Sequence, residues 1–406
     1  MPKRALILLE GTRANGLLYV RAAQRLGLNP ITLSSDPAQH GYLATESCEA
    51  SRVDTNNLDA LISECSRLRA TYEIVGITSA QEAVYATVGE LCRHFNLPGP
   101  NPESIRRCCD KFIQREILAE GNVPIPAYRL AANAADVKSA AAEIGLPVVL
   151  KPAVGINSKG VRLCRDVDEV AEHTTYLLDG KHIWRSPPRI LIEEFAQGHH
   201  YWIHLMGNEA IGIEGADLGP PPYFLFREAI FPAQLTDDEQ KNIEGVSLSC
   251  LRALGLGWGP TNIEFRLTKR GPVVIEVNPR LAGHPQPAQL AYGIDLVTEH
   301  IKLVIGSEWN LNKRHSYAAG WRSLFPDCDG MLDWIGGVSQ AAALSGVAEV
   351  KLHVKPETPI FRKGDNIDSL GLITAVSPDV AQTKAILQRA VDLIDWSITP
   401  FPTIGE

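Results

Sequence analysis

Apolar residues along this chain come in short runs separated by longer amphipathic stretches. "ALILLE" (5–10) is such a run; it stops at the small-residue turn "GTRANG" and hands over to "LLYVRAAQRLGL" (17–28), apolar at helical spacing. This predicts strand, turn and helix. "NPITLSSD" (29–36) and "EIVGIT" (73–78) predict two further strands, and "SAQEAVYATVGELCRHFN" (79–96) a helix before the Pro/Gly-rich break "LPGPNPES". Strands alternating with helices predict an open parallel sheet ending near residue 100.

Beyond the break, "DKFIQREILAEGNVPIPAYRL" (110–130) predicts a helix with an extended, proline-rich exit. A helix ending at "EIGLP", the strand "VVLKPA" (148–153), the loop "VGINSKG" (154–160), the strand "VRLCR" (161–165), a helix over 167–178 and the strand "RILIEEF" (189–195) follow. Prolines bracket this α+β unit, which predicts a separately moving lobe. After Gly198 the pattern is strand-rich, running through "YWIHLMG" and "EAIGIEGA" to a hairpin, "TNIEFRLTKRGPVVIEVNP" (261–279), that turns at "TKRG". From about residue 311 short strands ("AEVKLHV", "LGLITAV") mix with one long helix expected over 379–398.

The hairpin carries the most pointed chemistry. With a side-chain period of two, Asn262, Glu264 and Arg266 share a face on its first arm, and Glu276, Asn278 and Arg280 share one on its second. Two carboxylates and an amide oxygen on a rigid sheet are hard ligands of the kind Mg²⁺ takes beside substrate phosphates. A solvated polar face is the alternative reading. Lys151 ends an apolar strand, and the loop after it offers Gly155, Ser158, Lys159 and Gly160, small enough for backbone N–H groups to turn onto phosphate oxygens. The acids of "LIEEF" are either functional or plain edge charge.

Composition narrows the field. The chain has 406 residues, 45% hydrophobic and 21% charged, which fits a globular protein of two to four domains. A net charge of −8 gives no electrostatic case for nucleic acid or an anionic membrane, so small molecules are the expected partners. The eight cysteines form no CxxC pair and no Cys/His ligand spacing, which predicts a reducing, cytoplasmic setting. The run "ALILL" ends at Glu10, too short for a signal h-region or a membrane span. Asp36 follows the second strand as in a dinucleotide-binding half, but GxGxxG and the P-loop Lys-Ser/Thr are both missing.

In order along the chain stand "DK" (110–111), "VVLKP" (148–152), "VGINSKGV" (154–161), "IEEF" (192–195), "NIEFR" (262–266) and "IEVNPRLAG" (275–283). In these motifs the chain resembles the ATP-grasp enzymes. The resemblance implies an α/β and α+β multidomain protein: a Rossmann-like parallel-sheet domain at 1–105, an ATP-grasp domain at 106–310 with a mobile lid lobe at about 123–193, and an α+β region at 311–406 completing the C-terminal lobe with mixed or antiparallel sheet. It implies ATP and Mg²⁺ as cofactors, two ions being expected and Mn²⁺ an acceptable substitute. Lys111 and Lys151 resemble the lysines on the nucleotide phosphates, and Gly155, Ser158, Lys159 and Gly160 the flap above them. Glu193, Glu194, Phe195 and Ala196 resemble the adenine-reading linker. His200 stands where many members have a Glu near the ribose. Glu264, Glu276 and Asn278 resemble the metal ligands, and Arg280 the arginine on the transferring phosphoryl group.

The hairpin, "LAYGIDLV" and "GDNIDSLGLITAVSPD" are most similar to the bacterial L-amino-acid ligases. This implies ATP-driven joining of two amino acids through an acyl phosphate, with ADP and phosphate released. Arg280, His284 and Glu82 are then candidate substrate contacts, although a helix dipole already accounts for an acid at Glu82. The sequence leaves oligomeric state open, a homodimer being the commonest assembly of soluble proteins. Other ATP-grasp ligases, a biotin carboxylase-like enzyme and a non-catalytic ATP-binding regulator remain the alternatives.

Overall fold

The structure, a computed structural model, describes residues 2–11, 15–46, 48–155, 158–180 and 188–402. Thr12–Ala14 of the first turn, and Ile156 and Asn157 of the glycine-rich loop, lie outside them. The N-terminal strands Lys3–Leu9, Asn29–Ser34, Glu49–Arg52 and Tyr72–Thr78 form a parallel sheet, with the first of them central. Near-continuous apolar runs such as Ala5–Leu9 are what a sheet covered on both faces requires, and all five residues are buried. Helices Gly16–Arg25, Leu58–Arg69 and Tyr85–Phe95 supply part of that cover.

The small lobe has four antiparallel strands, Tyr128–Ala131, Ile190–Glu194, Val148–Pro152 and Arg162–Cys164 in spatial order. Helices Ala134–Ile144 and Val167–Asp179, capped by Asn133 and Asp166, close one side of it around Val137, Val148, Leu150, Val170 and Ile192. The large lobe is an eight-stranded sheet, antiparallel throughout. Its order runs Gly271–Asn278, Pro260–Thr268, His199–Met206, Glu209–Asp217, Glu228–Phe231, Ala318–Leu324, Gly371–Ser377, Val347–Leu352. Strands from the C-terminal hundred residues therefore continue the sheet that the polar hairpin begins.

The N-terminal sheet has a fourth strand, Glu49–Arg52, that the apolar pattern does not predict, and three further elements differ from the sequence expectation. The helix expected over 379–398 ends at Asp392, and Asp395–Pro400 is a strand paired with Gly330–Gly336. Trp396, Ile398 and Thr399 favour the extended state, and a partner strand that sequence periodicity cannot supply decides the matter. The strand-rich stretch also contains the 18-residue helix Asp237–Leu254, opened by a Thr236/Glu239 capping box. The Pro/Gly-rich break is shorter than it reads, because Pro102 takes the first helical position of Pro102–Cys109 with Asn101 as its cap.

Candidate active site

The hairpin pairs so that Glu264 faces Glu276 and Asn262 faces Asn278 across the two arms. Its inner neighbour extends both rows: Glu264 faces Trp202, which in turn faces Glu214, while Asn262 faces His204. Directly opposed residues in antiparallel strands share a face, so Glu276, Glu264, Trp202 and Glu214 form one row across four strands. That row is the floor of a cavity of about 810 Å³ between the lobes. Glu82, Lys111, Lys151, Gly155, Ser158, Lys159, Glu193, Glu194, Phe195, Ala196, His200, Glu264, Glu276, Asn278, Arg280 and His284 all line it. Residues scattered over two hundred positions of sequence thus meet in one space.

Local structure sets each charge. The Asp110 carboxylate accepts from the backbone N–H groups of Phe112 and Ile113, which caps the helix Lys111–Glu120 and puts Lys111 in its first turn. The Lys111 ammonium lies 2.7 Å from Glu276 and donates to the Gly155 carbonyl, joining hairpin to glycine-rich loop. Burial works to raise the Glu276 carboxyl, but the charges of Lys111, Lys151 and Arg280 outweigh it and hold the group below the ordinary carboxylate range. Burial likewise works to lower Lys111, and Glu276 outweighs it, so the ammonium is held above its ordinary value. Both groups are charged at neutral pH.

Lys151 is balanced differently. It lies 2.6 Å from Glu193, whose other oxygen takes Arg115 at 2.7 Å, and all three side chains are buried. Burial pulls the Lys151 ammonium below its ordinary value, and Glu193 restores only part of the loss. The Glu193 side chain neutralises this lysine and arginine, leaving its backbone for the expected linker role. Glu194, Phe195 and Ala196 remain at the crossing between lobes, with the Arg266 guanidinium 5.6 Å above the Phe195 and Phe224 rings.

Arg280 lies just past the hairpin and donates to Glu82 at 3.0 Å and to the Asn278 amide oxygen at 3.2 Å. Glu82 thus has a charged partner beyond any helix dipole. His200 is buried 3.3 Å from Glu264, with burial holding it below the ordinary histidine value. His284 tilts over the Trp321 ring at 5.1 Å, and burial, aided by the His353 and Lys351 charges, pushes it down to about 4. It is neutral at pH 7. Gly160 does not line the cavity; its φ of +74° and the carbonyl it offers to His173 shape the turn instead.

Among the described residues no group of three or more His, Cys, Asp or Glu is placed to hold a metal. The hairpin offers two carboxylates and an amide, a set that suits Mg²⁺ when phosphate oxygens complete its shell. Two facing carboxylates repel each other, a cost that a small hard cation between them would relieve, and the unpartnered Asn278 amide N–H suits a phosphate oxygen beside it, so the residues present fit a cation that shares its shell with phosphate.

Sequence reasoning missed Arg115, Trp202, Glu214, Phe226 and Trp321. Glu214 carried a usable signal, since an acid in the apolar alternation "EAIGIEGA" at an inward position needs a reason. Arg115 carried none, because a basic residue in an amphipathic helix reads as solvated.

An ATP-grasp domain model matches residues 144–287, and a model of the L-amino acid ligase C-terminal domain 2 matches residues 322–399. The y4rH protein of Sinorhizobium fredii, described as uncharacterised, is 59% identical over 406 residues, covering 100% of this chain and 85% of its own length. Human carnosine synthase 1 is 27% identical over 313 residues, which is 70% of this chain but only 38% of that protein. The solved structure of an L-amino acid ligase from Bacillus licheniformis superposes with a TM-score of 0.83 at 19% identity, covering 98% of this chain and 100% of that one. Hairpin, small lobe and C-terminal strands thus recur together in a solved relative, and this chain carries an ATP-grasp domain joined to a segment that matches the L-amino acid ligase C-terminal domain.

Proposed function

We propose that the protein joins two L-amino acids in a peptide bond at the expense of ATP. The reading is carried by one observation: the 322–399 segment, which matches the L-amino acid ligase C-terminal domain, supplies Ser323, His353, Asn366, Ser369 and Leu372 to the wall of the cavity that holds Lys111, Lys151, Glu276 and Arg280. The charged hairpin supports ATP chemistry, and the C-terminal strands beside it support an amino-acid acceptor.

In the first step a substrate carboxylate oxygen bonds to the γ-phosphorus of ATP while the β–γ bridging bond breaks, giving an acyl phosphate and ADP. An amine then attacks the acyl carbon; the C–O bond to phosphate breaks, phosphate leaves and the amine loses a proton. Little covalent work falls to the protein, whose task is positioning and charge. Lys111 and Lys151 hold phosphate oxygens, with Ser158, Lys159 and the loop backbone above them. Glu194, Phe195 and Ala196 take the adenine edge and Arg266 closes over it. Glu264, Glu276 and Asn278 hold Mg²⁺, which supplies neutralisation of phosphate charge. His200 backs Glu264. Arg280, steadied by Glu82, meets the charge that develops on the transferred group, and His284 stands on the substrate side.

Phosphate release from ATP with Mg²⁺, screened over single and paired amino acids with products identified by mass, tests this. The expected products are ADP, phosphate and a dipeptide, formed only with suitable amino acids. Turnover driven by bicarbonate and biotin, with none from amino acids, would show a carboxylase instead.

A further inference from the structure

The cavity floor has a second end. Trp202 lies between Glu264 and Glu214 in one cross-strand row, and neighbouring strands stand about 4.8 Å apart, so Glu214 begins roughly 10 Å from Glu264 along the sheet. Around it the walls are aromatic. Trp202 and Trp321 run nearly parallel with centroids 6.2 Å apart, and Phe226 sits 4.7 Å from Trp202.

Glu214 is 2% exposed and lines the cavity. One of its oxygens accepts from the Trp321 indole N–H at 3.1 Å, and the other faces His204 Nε2 at 3.1 Å. On its far side the His204 ring meets the Asn262 amide, whose nitrogen lies 3.2 Å from Nδ1. Among the described residues no Lys or Arg forms an ion pair with Glu214. A buried carboxylate with no lysine or arginine partner, facing an open cavity and walled by indole and phenyl rings, is matched by a cation: the carboxylate supplies charge and the rings supply cation–π attraction.

We propose that this end of the cavity binds the cationic side chain, ammonium or guanidinium, of one of the two amino-acid substrates. The proposal rests on the ligase reading above, and it places the basic group about two strand widths from the hairpin carboxylates, with the α-carboxylate nearer Arg280. Glu214 is a specificity-determining residue in this account, outside the phosphoryl chemistry.

The test is a ratio. Wild-type protein is assayed with arginine against citrulline and with ornithine against norleucine, pairs that match in shape and differ in charge; each amino acid's binding is also followed calorimetrically in the presence of Mg²⁺ and a non-hydrolysable ATP analogue. A preference of roughly 10- to 100-fold in kcat/KM for the basic member is expected, the worth of a hydrogen bond to a charged group. Glu214→Gln should bring the ratio close to one, whereas a merely structural role would lower both members together and leave the ratio intact. Should Glu214→Gln fail to fold, Glu214→Asp keeps the charge but retracts it, and the preference should move from ornithine toward the longer lysine. Dipeptide formation with no preference for the basic member in wild type overturns the proposal. If no amino acid drives ADP release, the ligase reading falls; calorimetry then decides the pocket separately, with arginine binding lost in Glu214→Gln supporting it and equal binding of arginine and citrulline overturning it.

Discussion

The two ends of the cavity floor make an instructive pair. At the hairpin end Glu264 and Glu276 face each other, surrounded by Lys111, Lys151 and Arg280, so charge is answered by charge. At the other end Glu214 stands among Trp202, Phe226 and Trp321, with no lysine or arginine paired to it among the described residues. On the proposed reading, one row of one sheet carries an acid that shares cations with phosphate and another open to a cation from outside. The difference separates reaction from selection: changes at the first end should slow every substrate alike, and changes at the second should alter which substrate is preferred.

The sharpest way to break that contrast is Glu276→Gln. Removing one hairpin carboxylate should lower kcat about 10³-fold for all substrates, the scale set by losing one preorganised electrostatic group; a variant that merely changed the ratio between substrates would merge the two ends. Arg115→Met acts behind the hairpin end. It leaves Glu193 buried with Lys151 alone, and breaking a buried ion pair from one side costs about 3–5 kcal/mol, to be read from urea melts.

A smaller effect is expected from pH. Burial pushes His300 down to about 3 and His284 to about 4. Both values lie below the unfolded value, so from about pH 6.5 downward the unfolded chain binds protons that the native protein refuses, and stability falls as pH falls. Each histidine contributes up to about 1.4 kcal/mol per pH unit until its folded value is reached. Melts of His300→Gln should show a shallower slope below pH 6; an unchanged slope would remove His300 from the account. The mildest change is Trp321→Phe, which keeps a ring and deletes the N–H that Glu214 accepts. It should alter the arginine-to-citrulline ratio a few-fold and leave the ATP KM alone.

The same contrast explains what was legible in the sequence. The hairpin end could be read because its residues are close in sequence and alternate: Glu264 and Glu276 sit on two arms joined by the turn at Lys269 and Arg270, so period and pairing follow from one short segment. Lys111 and Lys151 were found through the order of motifs. The aromatic end could not be read, because Trp202, Glu214, Phe226 and Trp321 come together only when Ala318–Leu324 docks against Glu228–Phe231, a pairing across nearly a hundred residues. For the same reason the strand Asp395–Pro400 was hidden: its partner Gly330–Gly336 is far away in sequence. Glu193 shows a third limit, since nothing in the sequence announces that its side chain is buried between Arg115 and Lys151.

The central claim is that a substrate carboxylate is activated as an acyl phosphate. It is tested most directly with an amino acid carrying ¹⁸O in both carboxylate oxygens, turned over with ATP and Mg²⁺ and a second amino acid, the released phosphate being examined by ³¹P NMR. Transfer of the γ-phosphoryl group onto the carboxylate predicts one ¹⁸O in each phosphate released and the other retained in the new amide. Unlabelled phosphate accompanying dipeptide formation would contradict it.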